Sequence, residues 1–192
     1  MNIHDFQPFC PSWNEVINMQ AELELMFEPG LGEKIANFDI NCFEDQELFK
    51  AYCWRITEEL CEAIEALREQ DEDHTKEELI DALNFTLNLY RLCGIRPQFV
   101  AKSSELISPK STLEEYIFEV IYRVNLAANC LKNRSWRSSQ YMVDLYVFEP
   151  RLLSIFECIM QVFRMVGLGE KEVRELWSLK YQVNKFRVET KY

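Results

Sequence analysis

Apolar residues recur along this chain with the period of an α-helix. Over 46–69, Ile56, Leu60, Ala63, Ile64 and Leu67 fall on one stripe with polar residues between them. The pattern predicts an earlier helix over 12–27, closed by Glu28-Pro29-Gly30, then a looser stretch to Asp45. A polar turn over 70–74 follows the 46–69 helix. Thr75-Lys76-Glu77-Glu78 has the form of a capping box opening a third helix that runs to Cys93, before Gly94 and Pro97. A Ser-, Lys- and Pro-rich connection spans 97–111, and a fourth helix over 112–131 opens on another Thr-x-x-Glu signal. The segment 133–143 reads as a polar loop. A fifth helix is predicted from Pro150 to Val166, and Gly167-Leu168-Gly169 separates it from a last one over 170–188. Strand-like alternation is confined to 141–148. The expected class is all-α: one domain over 1–192, a bundle of five to six helices with a central antiparallel acidic hairpin.

Composition narrows the function. With 48% hydrophobic and 13% aromatic residues, 192 residues suffice for a proper core. A net charge of −11 argues against a nucleic-acid surface, which needs a basic stripe, but permits nucleotides if a metal meets their phosphates. Seven cysteines without a C-x-x-C pair read as reduced thiols, and with only two histidines they argue against a zinc site. No basic start precedes an apolar run, and no stretch approaches the roughly 18 apolar residues of a membrane span. A cytoplasmic protein without a membrane partner is expected.

The candidate chemistry lies in two acidic segments, Glu58-Glu59-Leu60-Cys61-Glu62 and Glu77-Glu78-Leu79-Ile80-Asp81. Glu59 and Glu62 are three apart, as are Glu78 and Asp81, so each pair shares a helix face. Glu62 with Glu78, and Glu59 with Asp81, have the same midpoint, position 70. If the two segments are antiparallel helices joined near Gln70, four carboxylates converge on one spot. Neither segment contains Lys or Arg, so the cluster calls for a cation. All-oxygen ligation suits Mg²⁺ or Mn²⁺, whereas di-iron bundles use Glu-x-x-His pairs that are missing here. A carboxylate-bound Mg²⁺ completes its shell with water and substrate phosphates, which implies metal-assisted hydrolysis of a phosphoanhydride. The competing reading is a solvated helix face, with Glu78 merely closing the Thr75 capping box.

The E-E-x-x-E segment followed by E-x-x-D resembles the all-α nucleoside triphosphate pyrophosphohydrolases, which include MazG-like enzymes, dimeric dUTPases and phage-type dCTPases. Met19-Gln20-Ala21-Glu22-Leu23 is similar to the N-terminal motif of the dUTPase/dCTPase branch, and 179–187 to its K-x-x-x-N-x-x-R motif. The resemblance implies Glu59, Glu62, Glu78 and Asp81 as catalytic metal ligands. It implies Gln20 on the nucleoside and Lys180, Asn184 and Arg187 on the phosphates. Those last three also follow i, i+4, i+7 spacing, which makes a local cationic face or, on the competing reading, an ordinary solvated helix.

Two departures bear on specificity. Asn84 stands where dimeric dUTPases usually carry a histidine, and the aromatic-lysine motif between the acidic pairs is missing. Lys132, Arg134 and Trp136 offer a substitute on the substrate side, or else a basic helix end. The resemblance implies Mg²⁺-dependent conversion of a deoxynucleoside triphosphate, dUTP or dCTP first, to monophosphate and pyrophosphate by a homodimer or homotetramer. Tyr116, Phe118 and Tyr122 fit an oligomer contact or simple core. The alternatives are a MazG-like preference for other nucleotides and a non-catalytic helical interaction protein.

Overall fold

The computed structural model of the protein describes residues 6–95, 111–136 and 138–190. The expected connection over 97–111 lies almost wholly outside them. Among the described residues there are seven helices and no strand, so the class is all-α. They are α1 (Trp13–Phe27), α2 (Leu31–Ala36), α3 (Phe43–Arg68), α4 (Glu72–Leu92), α5 (Leu113–Ala128), α6 (Leu145–Met165) and α7 (Glu170–Thr190).

Local chemistry explains most of the boundaries. Ser12 and Glu15 form a capping box on α1, and Thr112 and Glu115 form one on α5. Helices α4 and α6 end on glycines with positive φ, Gly94 at 68° and Gly167 at 82°. After Gly167 the Leu168 N–H reaches back to the Phe163 carbonyl at 2.9 Å, the double-bonded stop that a left-handed residue allows. The chain then leaves α6 at 97° to build α7.

Three expectations need correction. Helix α4 opens one turn earlier than Thr75, because the Asp71 side chain accepts the His74 N–H at 3.0 Å. Thr75 sits inside the helix, its hydroxyl donating to the Asp71 carbonyl at 2.7 Å. Glu78 is thereby released from any capping box. Helix α6 starts at Leu145 rather than Pro150, capped by Asp144, which accepts the Tyr146 N–H at 3.0 Å. Proline's missing N–H deprives only the carbonyl of Tyr146, a residue 95% exposed, so water can substitute. The alternation over 141–148 therefore runs into a helix, not a strand. The looser stretch before Asp45 contains α2, whose Leu31 is fully buried.

Helix α4 is central, packing on α1, α3, α6 and α7. Its core residues include Leu79, Ile80, Leu83, Leu87 and Tyr90. The Tyr90 hydroxyl reaches the Leu152 and Leu153 carbonyls at 2.9 Å and accepts the Phe156 N–H at 3.2 Å, tying α4 to α6. Helices α3 and α4 form the most extensive pair, with Tyr52 against Phe85 and the Asp71 N–H bonded to the Ala66 carbonyl at the turn. Because α4 is covered on nearly all sides, any charge it carries inward must find a partner. Tyr116 belongs to the core, while Phe118 and Tyr122 are exposed. Among the described residues no single helix is long and apolar enough to cross a membrane.

Candidate metal centre

Glu59 projects from α3 beside the fully buried Leu60, and Glu78 and Asp81 project from α4, one turn apart. One carboxylate oxygen from each of the three lies within 4.8 Å of the others. Glu78 is buried, and Glu59 and Asp81 are half-buried. Like charges this close cannot all stay ionised in a desolvated setting. Burial pushes the Glu59 carboxyl up to about 8, helped by its hydrogen bond to Glu78 and by the negative charges of Asp81, Glu78 and Glu62. Glu78 is also raised, chiefly by burial, while the bond from Glu59 and the nearby Lys180 and His74 oppose the rise. Burial and the neighbouring charges thus favour a shared proton in the hydrogen-bonded Glu59–Glu78 pair.

A second neutralising device comes from α7. Lys180 is buried and its Nζ lies 2.7 Å from Asp81 Oδ2 and 3.8 Å from Glu77 Oε2. Burial raises the Asp81 carboxyl, against the pull of Lys180 and Asn84. Counting charges on the two acidic segments alone misses this cation, because it arrives from 99 residues further along the chain. His74, whose Nδ1 lies 3.3 Å from Glu78 Oε1, and Glu77 also border the cluster without having been anticipated.

Asn84 acts as a brace. Its Nδ2 donates to Asp81 Oδ1 at 3.4 Å, and its Oδ1 accepts the indole N–H of Trp177 at 2.7 Å. Trp177 is buried and stacks on Tyr181 with ring centroids 5.3 Å apart. A hydrogen-bonded chain thus fixes the Asp81 carboxylate from behind. The i+3 spacing of Asp81 and Asn84 was the signal for this contact; the tryptophan partner had none in sequence.

The remaining candidates scatter. Glu62 is exposed one turn along α3 and lies outside the close triad, though near enough for its charge to act on Glu59. Lys180 faces Asp81 while Trp177 faces Asn84, so α7 runs antiparallel to α4 here. Half-buried Asn184 and exposed Arg187 therefore continue past the triad toward the Thr75 end, about 6 and 10 Å along the axis from Lys180. Gln20 lies on the buried face of α1 with Val16, Leu23 and Glu24, its Oε1 lacking a hydrogen-bond partner among the described residues.

Lys132, Arg134 and Trp136 are not brought to the triad. The neighbouring Asn133 N–H binds Gln46 Oε1 at 3.0 Å, at the start of α3 and thus about 20 Å along that helix from Glu59. Arg134 donates to the Leu131 and Asn133 carbonyls at 2.8 and 2.9 Å, so it serves the loop that follows α5. Lys132 bonds Asn129 Oδ1 at 2.6 Å, and Trp136 is largely exposed. Within one chain this segment lies in the irregular stretch after α5.

The donor chemistry of the triad fits a hard divalent cation: three carboxylate oxygens, close enough to share one ion, with no sulfur or imidazole among them. Fold and site together define an all-α protein with an acidic centre between two helices. No family model, no curated protein and no solved structure matches the chain.

Proposed function

We propose that the protein is a Mg²⁺-dependent hydrolase that converts a deoxynucleoside triphosphate to the monophosphate and pyrophosphate. The observation that carries this reading is the convergence of the Glu59, Glu78 and Asp81 carboxylates from two helices. The resemblance of the two acidic segments to the all-α nucleoside triphosphate pyrophosphohydrolases supplies the reaction class. In this reading α3 and α4 act as an antiparallel acidic hairpin.

Glu59, Glu78 and Asp81 would hold Mg²⁺, or Mn²⁺ in its place, with Glu62 at the rim as a fourth carboxylate. Held there, the ion would supply positive charge for phosphate oxygens and would acidify a water. Asn84 and Trp177 keep Asp81 in one orientation, so that little ordering is left for the moment of binding. The α7 face of Lys180, Asn184 and Arg187 receives phosphate, and Gln20, with its free carbonyl oxygen, reads the base. A pyrimidine nucleotide is the first candidate, and a homodimer or homotetramer the working assembly.

One observation favours a second reading. The Lys180–Asp81 pair and the raised Glu59 carboxyl already ease the charge of the cluster, as they would in a helical interaction protein that performs no chemistry. Pyrophosphate release from a panel of deoxynucleoside triphosphates with Mg²⁺ separates the two. Metal-dependent turnover of at least one nucleotide is expected. Silence across the panel, with Mg²⁺ and with Mn²⁺, leaves the interaction protein.

A further inference from the structure

Lys180 is an unusual residue to find buried. A lysine pays for burial in desolvation and lost side-chain freedom unless a carboxylate meets it. Here the carboxylate is Asp81, at 2.7 Å, and it belongs to the triad that the proposed function assigns to a metal ion. A divalent ion sits about 2.1 Å from a ligating oxygen, so an ion and the ammonium sharing Asp81 Oδ2 stand no more than about 5 Å apart. At that distance, with water largely excluded, their repulsion far exceeds thermal energy.

Resting on that reading of the site, we infer that Lys180 is a built-in counter-ion: it occupies the cation's place beside Asp81 in the metal-free protein and is displaced when the ion enters. Three features suit the role. The ammonium holds one oxygen of Asp81, while Asn84 secures the other, so the carboxylate keeps its orientation when the lysine leaves. Glu77 Oε2, 3.8 Å from Nζ and on a side chain about one-third exposed, offers the displaced ammonium a position toward solvent. Lys180 also comes from α7, whereas all three carboxylates come from α3 and α4, so its withdrawal leaves the ligand frame in place. The lysine neutralises Asp81 without metal, and the same contact sets a threshold for metal uptake.

Mn²⁺ titration of the full chain by calorimetry, at one fixed pH, tests the inference. Lys180→Met removes the competitor and should bind Mn²⁺ about tenfold more tightly than the parent. Lys180→Gln, which keeps a polar head without charge, should shift in the same direction and serves if the methionine variant does not fold. Equal or weaker binding by the folded variants overturns the inference while leaving the metal site intact, and identifies Lys180 as a structural partner. If the parent chain itself takes up no Mn²⁺, the site reading fails and this inference with it. In the parent chain, Mn²⁺ should also accelerate acetylation of Lys180 by an amine-reactive reagent, read by peptide mass spectrometry. Unchanged labelling on a chain that binds Mn²⁺ shows that the ammonium never leaves Asp81.

Discussion

Two polar centres are buried along the same pair of helices, and they solve the same problem differently. In the first, Glu24 of α1 accepts hydrogen bonds from Tyr52 of α3 and Arg91 of α4. One anion meets one cation, and a neutral hydroxyl completes the set. In the second, about 15 Å along α4, three carboxylates converge on one another and only one of them, Asp81, meets a lysine. The balanced centre behaves as a joint between three helices: its groups satisfy one another. The unbalanced centre retains more acceptors than its own cation can serve, and burial beside like charges pushes its Glu59 carboxyl upward. Folding alone gives no reason to gather that many acids. A protein that wanted only cohesion could use the first arrangement twice.

The comparison can be broken most directly by substitution. Glu59→Gln imitates the protonated carboxyl, so the fold should tolerate it, with melting temperature kept or raised. Turnover of the nucleotide substrate should nonetheless fall on the order of a thousandfold, because an amide ligates a hard cation poorly. Asp81→Asn should lose activity to a similar extent. Arg91→Met should do the reverse. It strands Glu24 without its counter-charge and should cost about 3 kcal/mol in denaturant unfolding, with turnover per folded molecule unchanged. If Arg91→Met were silent in stability, or Glu59→Gln unfolded the chain, the division into joint and site would be lost.

Metal and pH sharpen the same contrast. Mg²⁺ at a hundredfold excess over its dissociation constant should stabilise the parent by about 2.7 kcal/mol and leave Glu59→Gln nearly unmoved. Without metal, Glu59 is protonated in the folded protein and ionised in the unfolded chain between its ordinary value of 4.5 and about 8. The folded state binds more protons in that window, so stability falls as pH rises across it. Glu24, Glu78 and Asp81 are raised as well and add slopes of the same sign. Melting curves in chelator from pH 5.5 to 8.5 should therefore decline, and Glu59→Gln should flatten the upper part of the decline. A rise with pH would contradict the charge arrangement. The smallest effect is at the α3–α4 turn, where Gln70 holds φ at 63°. Gln70→Gly should add about 1 kcal/mol of stability by removing the side-chain clash of a left-handed residue, with no change in turnover.

The acidic centre was partly legible in sequence because helical spacing is local information. Glu59, Glu78 and Asp81 follow from residue intervals and one turn. What spacing cannot carry is what packs across it. Lys180 reaches Asp81, and Trp177 reaches Asn84, only because α7 leaves α6 at 97° and folds back onto α4. The same gap applies to Lys132 to Trp136: spacing puts an aromatic and two cations together, but only the Asn133–Gln46 contact shows that they lie at the start of α3. Local chemistry misled in two places. Thr75-x-x-Glu78 has capping form, yet Asp71 captured the helix start first, and Pro150 invited a start that Asp144 had already made. In each case two start signals competed, and the side-chain cap further upstream prevailed.

The central claim is that the triad is a cation site that Lys180 guards in the metal-free protein. A crystal grown with Mn²⁺, with anomalous diffraction collected above the manganese edge, tests it most directly. The account predicts a peak bonded to oxygens of Glu59, Glu78 and Asp81, with the Lys180 ammonium moved off Asp81 Oδ2. No peak at the triad, with Lys180 still on Asp81, would contradict it.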